Sequence, residues 1–173
     1  TQKIVVDAAK HLPNLLATAD FSGDLAVNKA ILEYAMEIIH AILKLIKSSI
    51  DCQNEIVAKG ISQSEFKNKH EFYKKNSRWT EGLISASKAV ADSTKLLISM
   101  ADGILKNENS YEEFIVSSND VVASTAQLVA ASRVKAGLNL KSQHGLEDCS
   151  KIVNDSCKKL VKHSQSLINA KSA

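Results

Sequence analysis

Ser85-Ala86-Ser87-Lys88 has the spacing at which a lysine amine could take a proton from a serine hydroxyl, the S-x-x-K pattern of penicillin-recognising enzymes. None of the companion motifs of that chemistry accompanies it, and Ala86 falls on the apolar seam of a predicted helix, so the match reads as chance. The histidines, His11, His40, His70, His144 and His163, stand singly, none with another His or Cys at metal-ligand spacing. No glycine loop could cradle a phosphate. Asn154-Asp155-Ser156 is a glycosylation sequon in form only, because it lies inside a predicted helix. The three cysteines, Cys52, Cys149 and Cys157, make an odd number. Cys149 and Cys157 share one helix face, where a bridge is geometrically unnatural, so all three read as buried thiols in a reducing cytosol. No catalytic residue, metal ligand or cofactor is expected, and the chain is not expected to be an enzyme.

What remains is recognition chemistry, at Arg133-Val134-Lys135, an apolar residue held between two cations. Turning its helix at 100° per residue separates two faces. Thr125, Leu128 and Ser132 look inwards, while Val116, Ala123, Gln127, Ala130 and Val134 form a stripe on the far side. Such a stripe means either a helix packed on both sides or a docking face. Lys151, Lys158 and Lys162 lie opposite the seam of the following helix, and are either a solvated face or the basic rim of that docking face. From Arg133 to Lys162 there are seven Lys or Arg against three acids, Glu147, Asp148 and Asp155, which favours an acidic partner. A nucleic-acid partner is disfavoured, because the face lacks aromatics and a dense arginine cluster.

The elements that position these residues are all helices. The chain of 173 residues, 45% hydrophobic and 24% charged with one proline and six glycines, suits a single all-α domain and neither a turn-rich sandwich nor a disordered segment. No apolar run approaches the roughly 20 residues that span a bilayer. A first helix is predicted over about Lys3 to Ala19, kinked at Pro13, and a second from about Asp24 to Lys59 with Gly60 as its C′ residue. Ser62 and Glu65 form a candidate capping box, and the third helix should start between Ser64 and Phe72. Its seam is Trp79, Leu83, Ala86, Val90, Thr94, Leu97 and Ala101, and it ends near Lys106. A second capping box, Ser110 with Glu113, opens the fourth helix, which Gly137 stops; its seam runs Phe114, Ser118, Val121, Thr125, Leu128, Ser132. The fifth opens near Ser142 and carries Leu146, Cys149, Val153, Cys157, Leu160 and Leu167 on one side. Short connections between long helices predict an up-and-down bundle of five antiparallel helices, with the second and third each about 50 Å long.

The blocks ILEYAMEIIHAILKLIKSSIDCQNEIVAKG, EFYKKNSRWTEGLISASKAV and YEEFIVSSNDVVASTAQLVAASRVKA, with the Leu146-to-Leu167 helix after them, follow in the order of the I/LWEQ module. That module is also called the talin–huntingtin-interacting-protein actin-tethering (THATCH) domain. The chain resembles its endocytic branch, the huntingtin-interacting-protein adaptors and their yeast relatives, more than talin. The resemblance implies a five-helix bundle that binds filamentous actin, with the first helix (residues 1–20) as a restraint on binding. It places Arg133, Val134 and Lys135 in the actin-contacting patch, to which Gln127, Lys151, Lys158 and Lys162 are added here from their faces. Full-length relatives join the module to a phosphoinositide-membrane-binding domain and a coiled coil that binds clathrin light chain. They form a homodimer through a helix beyond the bundle, mostly or wholly absent from a chain ending at Ala173. The implied location is cytoplasmic, at the cell cortex, actin patches and endocytic sites. Two departures from the family pattern stand out: Arg133 where several relatives have Lys, and Glu147 where the last block has the family's glutamine. Glu147 sets a negative charge beside the basic face; at the edge of the fifth-helix seam it is expected to matter little. A talin-type adhesion tether, and a helical scaffold that binds a partner helix, are the alternative readings; the scaffold would have the outer face of the fourth helix covered.

Overall fold

The computed structural model describes residues 3, 5–7, 10, 25–63, 65–106, 108–136 and 141–172. Its helices are α1 (Leu25–Ser62), α2 (Lys69–Lys75), α3 (Ser77–Leu105), α4 (Tyr111–Ala136) and α5 (Lys141–Ser172), with no strand among the described residues. At the helical rise, the 38 residues of α1 extend about 57 Å. The 29 residues of α3 extend about 44 Å. Residues 3, 5–7 and 10 are also helical, and Val5 is fully buried in the common core. The predicted kink at Pro13, and Gly137 as the stop of the fourth helix, lie outside the described residues.

The long helices form an antiparallel bundle in which α4 lies between α3 and α5, and α5 also packs along α1. Cross-helix bonds fix that order. Ser93 on α3 meets Ser124 on α4 at 2.8 Å, Ser132 on α4 meets Gln143 on α5 at 2.9 Å, and Ser156 on α5 reaches Glu37 on α1 at 3.3 Å. The periodic seams of α3 and α4 are buried at every predicted position. On α1, Ile31, Ile38, Ile42, Leu45, Ile46 and Ile56 are buried. Many buried positions are serine or threonine, and several return their hydroxyl to a carbonyl one turn back: Ser93 and Thr94 to Val90, Ser117 to Phe114, Thr125 to Val121. A small hydroxylated residue so satisfied can sit at a close helix contact without an unpaired polar atom.

Three local expectations are corrected. The third helix is two helices that share Asn76, whose non-helical backbone (φ −113°, ψ 36°) caps both α2 and α3. Its side-chain amide donates to Phe72 O at 2.9 Å and its backbone N–H to the same oxygen at 3.0 Å. The capping box before α2 is Asn68 with Glu71, not Ser62 with Glu65: Asn68 Oδ1 accepts from Glu71 N at 2.9 Å, and Glu71 Oε2 accepts from Lys67 N at 3.3 Å. Ser62 instead ends α1, its hydroxyl on Lys59 O. Gly60 is not a C′ residue either, because α1 runs past it; a Cβ there would lie 3.0 Å from the Phe72 ring and 3.2 Å from Phe66. Its role is close approach. The capping box of Ser110 and Glu113 forms in both directions, at 3.2 and 3.3 Å.

Candidate functional site

The last two turns of α4 are held on both flanks. On the α3 side, Trp79 Nε1 donates to Ala131 O at 2.9 Å. On the α5 side, Ser132 Oγ donates to Gln143 Oε1 at 2.9 Å, and Cys52 of α1 reaches that same oxygen at 3.4 Å and Ser132 Oγ at 3.3 Å. Three helices therefore meet at one polar knot directly beneath Arg133, Val134 and Lys135. Phe72 stacks edge-on against Trp79, with ring centroids 5.9 Å apart, and fixes the indole from below.

With the inner face so anchored, the far face of α4 looks out. Val134 is 74% exposed and Val116 58%, while Ala123, Gln127 and Ala130 between them are exposed too. The stripe runs roughly 27 Å at the helical rise. Among the described residues nothing covers it, and no described helix packs on that side of α4. Arg133 and Lys135 are exposed on either flank of Val134.

Lys151, Lys158 and Lys162 are exposed on α5, but Lys158 and Lys162 do not gather at the triplet. The antiparallel pairing of α4 with α5 sets Lys158 and Lys162 along a groove with Asn119, Val122 and Asn154, beside the first half of α4. They lie roughly 20 Å along α4 from Arg133. They flank the other end of the stripe.

Sequence reasoning missed three participants. Beside Val134 and Lys135 a groove of about 560 Å³ opens against the start of α3, lined by Lys75, Arg78, Trp79 and Gly82. Turning the third helix about its Trp79 seam would have brought Arg78 to that edge. Gln143, only 3% exposed, is the buried centre of the polar knot, and its polar side chain in a seam was the available signal. Glu147 was expected to matter little, but its carboxylate lies directly on Arg133. Oε1 accepts from Arg133 Nε at 2.8 Å and pairs with Nη2 at 2.7 Å. Arg133 is the main cause that holds the Glu147 carboxyl below the usual carboxylate range, with Gln143 assisting against partial desolvation.

The remaining candidates are dispersed. Ser85 and Lys88 are exposed in the middle of α3 around the buried Ala86. His40, His70 and His144 are exposed, His163 lies against the Tyr34 ring at 5.1 Å, and His11 is outside the described residues. Cys52 and Cys157 are buried and Cys149 is half-buried, a partial correction; all three are free thiols, and burial raises the Cys157 thiol to about 11. Among the described residues no group of His, Cys, Asp or Glu could hold a metal ion, and no helix is long and apolar enough to cross a membrane.

The profile of the I/LWEQ domain matches residues 73–173. The endocytosis protein end4 of Schizosaccharomyces pombe is 49% identical over 171 residues, covering 96% of this chain and 15% of that protein. Huntingtin-interacting protein 1 of Homo sapiens is 43% identical over 157 residues, 89% of this chain and 15% of that protein. Talin-B of Dictyostelium discoideum is less similar, at 36% over 120 residues, 69% of this chain and 4% of that protein. The chain thus spans about 15% of the length of its endocytic relatives. Its sequence, its helical bundle and its matched length agree: the chain belongs to the I/LWEQ domain family.

Proposed function

We propose that this chain is a non-catalytic actin-filament-binding domain that tethers an endocytic clathrin-coat adaptor to actin. The observation that carries the reading is the exposed stripe of α4 ending in Val134 between Arg133 and Lys135, in a chain of a family whose resemblance implies filament binding. Val134 supplies apolar contact, while the flanking cations steer an acidic surface and make binding sensitive to salt. Gln127 extends the contact along the stripe, and Lys151, Lys158 and Lys162 form its basic margin on α5. The higher identity to end4 and huntingtin-interacting protein 1 than to talin-B favours an endocytic over an adhesion tether. Clathrin light chain and phosphoinositide membrane would be engaged by other parts of the full-length protein, dimerisation by a helix beyond the bundle, and the site of action would be cortical actin patches.

Filament co-sedimentation of the 173-residue chain beside its Arg133→Asp/Lys135→Asp variant tests the site, with circular dichroism as the folding control. The double variant is expected to bind about tenfold more weakly or worse, since it reverses both flanking charges. Undiminished pelleting by a folded double variant would remove the triplet from the contact.

A further inference from the structure

The acid beneath the triplet changes what Arg133 can offer a partner. A single oxygen of Glu147 takes both Nε and Nη2 of the guanidinium, occupying one edge of its donor fork. The carboxylate is braced from behind. Gln143 Nε2 lies 3.5 Å from the same oxygen and 3.4 Å from Val129 O, while Gln143 Oε1 accepts from Ser132 and Cys52. Because Gln143 is buried, the brace runs from the core of α1 through α4 and α5 to the surface pair. Glu147 is itself only about a third exposed, so the pair is partly withdrawn from water while Val134 beside it stands out. Two cations flank Val134; with Glu147 counted, the local charge falls to a net of one.

We propose that Glu147 sets the affinity of the docking surface by holding Arg133 in an internal ion pair that an acidic partner must share or displace. The proposal rests on the actin-binding reading above. An acidic subunit surface meets a triplet whose arginine is already half engaged, and binding is weaker than the bare sequence Arg-Val-Lys would give. A charge at the rim of a contact acts mainly on encounter rate and salt dependence, so the effect is graded.

The test is co-sedimentation of the parent chain, Glu147→Gln, Arg133→Gln and the double variant at low and at physiological salt, each checked by circular dichroism. Glutamine keeps an oxygen for Arg133 Nε and removes only the charge. Glu147→Gln is expected to tighten binding about two- to fivefold at low salt. The gain should shrink as salt rises and vanish when Arg133 is also replaced. A gain that disappears when Arg133 is also replaced comes from the ion pair and not from a loosened bundle. Unchanged or weaker binding by Glu147→Gln, or a gain that persists without Arg133, overturns the proposal while a pelleting parent leaves the actin reading standing. If neither parent nor Glu147→Gln pellets with filaments, the actin reading fails and this proposal falls with it.

Discussion

Trp79 joins two tasks that are usually separate. Its ring fills the junction between Phe72 and α4, and its indole N–H satisfies itself on the Ala131 carbonyl. Trp79→Phe would keep most of the packing and delete the bond, leaving the Ala131 carbonyl in its own helix ladder. Equilibrium urea unfolding is expected to show a loss of about 1–2 kcal/mol, from one hydrogen bond and a slightly smaller ring. The buried position of Trp79 was legible in the sequence, because its spacing to Leu83 and Ala86 is helical. Its hydrogen-bond partner was not, since Ala131 lies 52 residues away and nothing local selects a backbone acceptor. The same holds for Glu147. Periodicity set it at the edge of a seam, but only the packing of α4 on α5 could lay it on Arg133.

Among the elements, α2 shows how local rules leave a choice that packing makes. Ser62-x-x-Glu65 and Asn68-x-x-Glu71 satisfy the same capping pattern, and the sequence alone ranks neither. The second forms because α1 continues to Ser62 and α2 then turns Phe72 onto Gly60. Two glycines make a matched experiment. Gly82 lies exposed in α3 with open space where a Cβ would go, so Gly82→Ala is expected to gain about 0.5–1 kcal/mol of stability from helix propensity. Gly60→Ala gains the same propensity, but its methyl meets Phe72, which is held by Phe66, Tyr73 and Trp79 and cannot retreat. Overpacking of about 1–3 kcal/mol should outweigh the gain, so thermal unfolding is expected to move in opposite directions for the two variants.

Across the whole molecule, close spacing of α3 and α4 depends on small residues facing one another at Ser93 and Ser124. Ser124→Leu should force these helices apart and cost about 1–3 kcal/mol in denaturant unfolding. Ala126→Leu, on the exposed side of the same helix, should change stability by no more than about 0.5 kcal/mol. The all-helical class, the long antiparallel helices and the seams of α3 and α4 were readable from period and breakers. Which helices are neighbours was not, and that decides whether the stripe from Val116 to Val134 is core or surface. A hydrophobic period reports that a residue has a second face, but not whether another helix lies on it.

The polar knot beneath Val134 also has a consequence for load. Trp79 ties the last turns of α4 to α3, and Ser132 ties them through Gln143 to α5 and through Cys52 to α1. A pull applied at Val134 is therefore divided among three neighbouring helices and works against their bonds in shear. Without those ties it would peel the last turns of α4 from the bundle one at a time.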